Sequence, residues 1–308
     1  MKIQTRNCSI QRATCAGAIL LLAAAITAHA QYEYTTLNVP GSSTTWASDI
    51  SGDNVVGYYL PSSGIISGYL YNGGTYTTFS YPGAYQTFAN GISGNTIAGY
   101  CSLTTGDVCG FLYNNGAFTT LNVPGAGETE VFGISGNNVV GECWGSNGAQ
   151  AFLYNGSIYS ILTGFGSSFV PYAISGNNVL GDSGNASMLY NGSTYTPVSF
   201  PGSSFTRAYG LDGNNIVGYE SDLDGVLFNG STYTTFDVPG ANGTYPFGVD
   251  GNNIVGDYTL PNNGDLLGFI ATPAPVPEPS CLALLGLGAA VVTLIRLRGQ
   301  ARRFPNVG

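Results

Sequence analysis

The side chains able to do chemistry in this 308-residue chain are carboxylates and cysteines, because few other reactive types are present. His29 is its single histidine and Lys2 its single lysine, and both lie in the segment 1–30. Beyond that segment, nucleophiles activated by imidazole or by a lysine amine are excluded. Zinc or copper would have to bind without imidazole, so no firm metal site can be read. Carboxylates remain. Glycoside hydrolysis needs two of them roughly 5 to 9 Å apart, and Glu128/Glu130 or Glu220/Asp222/Asp224 stand close enough in sequence to supply them. Glu-x-Asp-x-Asp on a loop also offers oxygen ligands for calcium, although the full calcium-loop pattern is missing. Acids solvated on loops are the plainer account of both groups.

The elements that position these residues come from a repeat. Phe132-Gly133-Ile134-Ser135-Gly136-Asn137-Asn138-Val139-Val140-Gly141 returns six times, with its apolar anchor at Ile50, Ile92, Ile134, Ile174, Leu211 and Val249. Seven residues after each anchor stands a glycine, at Gly57, Gly99, Gly141, Gly181, Gly218 and Gly256. The copies are spaced by 42, 42, 40, 37 and 38 residues, as one structural unit with loops of varying length would be.

Each unit reads as four strands. In the third, Val131 to Ser135 and Val139 to Cys143 flank a Gly-Asn-Asn turn, and Ala151 to Tyr154 forms the third strand. Asn155-Gly156 is a strong hairpin signal leading into Ile158 to Leu162. Residues 31–270 show no helical periodicity, so the domain is all-β. The first three strands occur six times, but the fourth follows only five of them. The missing copy is at the other end, where Tyr34 to Gly41 matches Tyr233 to Gly240 almost residue for residue. A closed ring has a use for this offset, because an N-terminal strand that completes the last unit leaves no open end. The expectation is a six-bladed β-propeller of ~40-residue units closed by the N-terminal strand; an open β-solenoid is the alternative.

Charge narrows the function classes. All 17 acidic residues lie between Glu33 and Glu278, and Arg207 is the only basic residue in that span, which leaves it near −16. Such a surface repels DNA, RNA and anionic lipid. Tyrosine, phenylalanine and β-branched residues at fixed repeat positions give it a core to bury, so low charge here is not disorder.

The ends read as targeting segments. Lys2, Arg6 and Arg12, then the apolar run Ala16 to Ala28 and Ala28-His29-Ala30, make a secretory signal over residues 1–30. The repeat domain would occupy 31–271 and a proline-rich linker 272–280. Residues 281–297 form a short apolar helix and 298–308 a basic cytoplasmic tail. The apolar stretch Cys281 to Ile295 rises only about 22 Å as a helix, short of the roughly 30 Å hydrocarbon core. Pro277-Glu278-Pro279, this run, and Arg296, Arg298, Arg302 and Arg303 together resemble the PEP-CTERM sorting signal of bacterial exported proteins. The resemblance implies processing by an exosortase, transient anchoring by the helix, and delivery to the cell surface or an exopolysaccharide matrix. The tail Phe304 to Gly308 departs from the usual ending. The Gly-Ile-Ser-Gly-Asn-Asn and Gly-Phe-Leu-Tyr-Asn-Gly elements also resemble those of bacterial extracellular HAF-repeat proteins, which supports the repeat count alone.

Loops that differ between copies mark the expected binding face. The connections into the first strand carry Trp46, Tyr85, Glu128, Glu130, Phe169, Phe205, Arg207 and Tyr245, and a second-to-third loop carries Trp144. Cys101 and Cys109 end one such loop within disulfide range, and a bridge is expected there. The expected function is an exported, monomeric binding or matrix module for polysaccharide or another surface protein, without enzymatic activity or an obligate cofactor. A carboxylate-dependent glycan hydrolase or lyase, and a structural surface protein without ligand, are the alternatives.

Overall fold

A computed structural model of the chain describes residues 32–163, 169–184, 186–261 and 264–275. The two terminal segments expected to direct export and sorting, with the Pro277-Glu278-Pro279 motif and the arginine cluster, lie outside these residues. Among the described residues no helix is long and apolar enough to cross a membrane.

The described residues form six four-stranded antiparallel sheets arranged as a six-bladed β-propeller. Blades 1 to 5 each take four consecutive strands, beginning at Ser42, Ala84, Glu128, Phe169 and Thr206. Blade 6 takes three consecutive strands from Gly243 to Pro273, and its outermost strand is the N-terminal Tyr32–Leu37. That strand runs antiparallel to Leu266–Pro273, with Tyr32 opposite Pro273 and Leu37 opposite Gly268. The closure expected from the displaced fourth strand is therefore present, and the solenoid alternative falls.

The core is divided between the blades. Six apolar clusters each join one blade to the next, as Val56 and Phe79 of blade 1 meet Ile92 and Phe111 of blade 2. The last cluster joins Val255 of blade 6 to Ile50 and Val55 of blade 1, so packing runs around the whole circle.

The repeated motif has two structural reasons. The residue after each anchor lends its side chain to the next blade. Ser51 accepts from the Gly94 amide, Ser93 from Gly136, Ser135 from Gly176 and Ser175 from Gly213, at 2.9 to 3.1 Å. Asp212 accepts from Gly251 and Asp250 from Gly52, which returns to blade 1 and closes a ring of six bonds. Each glycine donor in this ring holds φ between 57° and 60°, a conformation that branched residues avoid. The glycine seven residues after the anchor is required by a bulge in the first strand. At Gly57, Gly99, Gly141 and Gly218 a Cβ would lie 1.9 Å from the carbonyl oxygen of the residue just before its partner on the first strand, and at Gly181 and Gly256 only slightly further. No side chain fits there.

Connections are fixed in the same repeated way. The hydroxyls of Thr45, Thr87, Thr129, Thr206 and Thr244 each accept the backbone amide six residues earlier, clamping the Pro-Gly turns at 2.9 to 3.0 Å. Asn155, Asn191 and Asn229 fold their side chains onto the amides two and three residues ahead, so these asparagines act as turn residues.

Candidate functional site in the central cavity

The six innermost strands present one face to the axis, and the residues four and two before each anchor lie on that face. At the first of these positions stand Trp46, Phe88, Glu130, Val170, Arg207 and Tyr245; at the second Ser48, Asn90, Phe132, Tyr172, Tyr209 and Phe247. The second strand adds the residue after the conserved glycine, which is Tyr58, Tyr100, Glu142, Asp182, Tyr219 or Asp257. The axis is therefore lined by aromatic rings and carboxyls.

Two cavities divide it. The wider, of about 520 Å³, is lined by aromatics of all six blades and by Asp257, and reaches Leu266 after the second-to-third connection of blade 6. It thus opens toward the variable-loop face. The narrower, of about 150 Å³, is lined by polar groups including Asp49, Ser51, Ser93, Asp212 and Asp250, toward the Gly-Asn turns. The residues two before each anchor border both cavities and mark their boundary.

Ring contacts hold the aromatic wall in place. Trp46 stacks on Tyr58 at 5.0 Å, Tyr58 meets Phe88 edge-on at 5.1 Å, and Phe88 stacks on Tyr100 at 4.7 Å. On the opposite side Tyr209 contacts Tyr172 at 4.9 Å and Phe247 at 5.2 Å, while Tyr219 meets Tyr245 at 5.1 Å. These rings are half-buried, so each keeps part of its surface for a guest. Burial raises the phenols of Tyr58, Tyr100 and Tyr209, which stay neutral at physiological pH.

The acids differ in their surroundings. Asp182 is buried and pairs with Arg207, the only cation among the described residues, and accepts from Ser187. Arg207 lies over the Phe205 ring at 5.0 Å. Glu142 is buried directly opposite Glu130 across the first two strands of blade 3. Burial, then the Glu130 charge, pushes Glu142 up to about 7, and burial, then Glu128, raises Glu130. Asp49 is pushed up to about 7 by burial, against the pull of hydrogen bonds from the Ile50 and Ile92 amides.

Only part of the expected face converges. Trp46 and Tyr245 line the wide cavity, and Arg207 and Phe205 stack together beside Tyr219. Tyr85 and Glu128 are exposed and take no part in the cavity wall, and Trp144 pairs with Glu128 at the blade edge. Phe169 is a correction: it is buried in the core between blades 3 and 4, at the place where the other copies carry the clamping threonine. Asp224 is raised to about 6 by burial and then by Asp237, with Glu220 and Asp222 further along the turn. Among the described residues no three His, Cys, Asp or Glu side chains group as a metal would need, so the calcium reading gains nothing here. Cys101 and Cys109 do face one another in register, but they stand as buried free thiols, with the Cys101 thiol donating to the Cys109 carbonyl at 3.4 Å. Their mutual hydrogen bond raises Cys101 and lowers Cys109. Cys143, opposite Gln150, is also free.

The residues missed were Tyr58, Phe88, Tyr100, Phe132, Tyr172, Tyr209, Phe247 and Asp257. Attention to loops hid them. For Phe88, Phe132, Tyr172, Tyr209 and Phe247 the signal is an aromatic two or four residues before the anchor, and for Tyr58, Tyr100 and Asp257 it is the position just after the repeated glycine.

No protein-family model and no curated protein matches the chain. Among solved structures, AofleA from Arthrobotrys oligospora is similar at 12% identity and a TM-score of 0.48, over 80% of this chain and 90% of that one. The Aleuria aurantia lectin, described as a fungal lectin of six-bladed β-propeller fold, is similar at 14% identity and a TM-score of 0.38, over 63% and 76%. YCF48 from Cyanidioschyzon merolae is similar at 14% identity and a TM-score of 0.41, over 73% and 82%.

Proposed function

We propose that this chain is an exported, non-catalytic glycan-binding module that holds sugar rings in the aromatic mouth of its central cavity. The observation that carries the reading is the wide cavity itself, about 520 Å³ and walled by half-buried rings from six blades. That volume falls within the ~300–1,000 Å³ usual for small-ligand sites. Flat apolar rings with a few polar groups suit the mixed faces of a pyranose, and preformed ring contacts reduce the ordering cost of binding. The terminal signals would carry the domain to the cell surface, where an exosortase would trim it and it would serve a polysaccharide matrix.

The test is oligosaccharide binding followed by calorimetry and by Trp46 fluorescence in a Trp144→Phe background. Micromolar to millimolar binding, weakened at least tenfold by a combined Phe88→Ala and Tyr209→Ala change, is the expected result. Binding that ignores those two rings would sink the assignment.

One observation favours a second reading, a glycan hydrolase. Glu130 and Glu142 stand opposite in register, and the raised Glu142 beside a second carboxyl is the pattern of an acid and its partner. Neither lines the wide cavity. Release of new reducing ends, abolished by Glu142→Gln, would establish the hydrolase in place of the binding module.

A further inference from the structure

We propose that the wide cavity selects a ligand carrying an ammonium group, which Asp257 pairs at the junction of blades 6 and 1; the sugar scaffold for that group rests on the glycan reading above. The geometry is specific to one place on the ring. Asp257 occupies the position where blades 1, 2 and 5 carry Tyr58, Tyr100 and Tyr219. It is 1% exposed and lines the cavity, and its Oδ1 accepts the Ala47 amide at 2.8 Å. Among the described residues that amide is its one hydrogen-bond partner, and Asp257 is part of the cavity lining. A buried carboxylate without a counter-charge is costly, so the group takes a proton until a guest brings the charge that lets it ionise.

No cation of the chain supplies it among the described residues, since Arg207 is engaged by Asp182 of blade 4. A ligand can. The stacked Trp46 and Tyr58 stand beside Asp257, with Trp46 adjacent in sequence to its partner Ala47. Tryptophan and tyrosine faces attract a cation through their quadrupoles, most strongly when water is excluded. Ring faces and one carboxylate are thus the complement of an organic ammonium. A neutral or negatively charged sugar brings no counter-charge and so gains no ion pair from the carboxyl.

Proton balance follows. Burial raises Asp257 well above the usual carboxylate range, with the Ala47 amide opposing. The titratable groups near it are the phenols of Tyr58 and Tyr69, both raised by burial, and that of Tyr245, which stands opposite it in register and lines the same cavity. Burial thus favours the protonated carboxyl in the free protein. On binding R–NH3+, the O–H bond of Asp257 breaks, the carboxylate pairs with the ammonium, and one proton passes to solvent.

The test compares three probes on the full chain near pH 6: a glucosamine trimer, its fully N-acetylated counterpart, and choline. The expected result is at least tenfold tighter binding of the amine trimer than of the acetylated one, with that preference lost in Asp257→Asn. In the variant the side-chain carbonyl can still accept the Ala47 amide. A readout on the unaltered protein stands beside it: the binding enthalpy of the amine trimer should vary with the ionisation heat of the buffer, as release of one proton requires. Equal or tighter binding of the acetylated trimer would overturn the ammonium proposal and leave the glycan reading intact. Binding of choline alone, dependent on Asp257, would support the ammonium site and remove the glycan scaffold. A preference for amine that survives Asp257→Asn would overturn the role of Asp257. Failure of all three probes would overturn both readings.

Discussion

Residue identity matters most where the repeat admits no substitute. The glycine after each anchor lies under a carbonyl oxygen, and at Gly141 that oxygen belongs to Glu130, 1.9 Å from where a Cβ would be. Gly141→Ala must push the first strand of blade 3 off the second, and should cost about 3 kcal/mol in urea unfolding. The same change at exposed Gly127, where a Cβ would meet nothing closer than 3.7 Å, should cost less than about 1 kcal/mol. Carboxyls set the pH dependence. Glu142 in the folded chain titrates near 7 against an ordinary 4.5. A raised carboxyl contributes its full stability below the ordinary value, and that contribution is lost as pH rises through the folded one. Stability should therefore decline between about pH 5 and 8. Glu142→Gln should flatten this decline by on the order of 2 kcal/mol, leaving the share due to Asp49, which titrates in the same window. Thermal melts at a series of pH values would show an unchanged slope if Glu142 were not the group responsible.

Among the elements, the N-terminal strand is the one whose position in the sequence and position in space differ most. Tyr32 to Leu37 covers Leu266 to Pro273, and Leu37 is fully buried against blades 6 and 1. Because Tyr32 lies opposite Pro273, the end of one strand adjoins the start of the other. A permuted chain that begins at Ser42 and carries residues 32–41 after Pro273, joined by Asn-Gly, would give blade 6 the hairpin found in blades 1 to 5. It should fold to the same ring and keep ligand binding. Simple removal of residues 32–41 should instead expose the edge of Leu266–Pro273 and lead to aggregation or loss of a cooperative melt. Equal behaviour of the deleted and permuted chains in size-exclusion chromatography would show that closure by this strand is dispensable.

At the scale of the whole molecule, the ring joins six unequal blades through one circle of hydrogen bonds and six shared cores, so function can concentrate where the copies differ. The acids are the differing members: Glu142, Asp182 and Asp257 replace tyrosine in blades 3, 4 and 6, and each has a different partner. The maturation proposed for this chain has a direct readout. Protein recovered from the cell surface should begin at Gln31 and end near Ser280, and intact mass with and without reductant checks both ends. Cys101 and Cys109 face one another, so export into an oxidising space should also remove two hydrogens. A mass that extends to Gly308 would make the C-terminal run a retained anchor.

Repetition made the architecture legible from the sequence alone. Six anchors and six glycines recur because the same bulge and the same bond to the next blade must form six times, and steric exclusion leaves a single residue type at each glycine. The displaced strand at Tyr34 disclosed closure for a similar reason, since its sequence matches the strands that complete blades 1 to 5. The site was less legible. Trp46 and Tyr245 were marked by their place after variable loops, but Phe88, Tyr100, Tyr209 and Asp257 lie within strands that read as framework. What gathers them is the pitch of six blades about an axis, which brings residues some 40 positions apart onto one wall. Only the tertiary structure could decide that Phe169 turns into a core, that Arg207 is neutralised by Asp182 of the neighbouring blade, and that Asp257 is buried and accepts the Ala47 amide. Each depends on contacts between blades, and a repeat read one copy at a time carries no record of its neighbour.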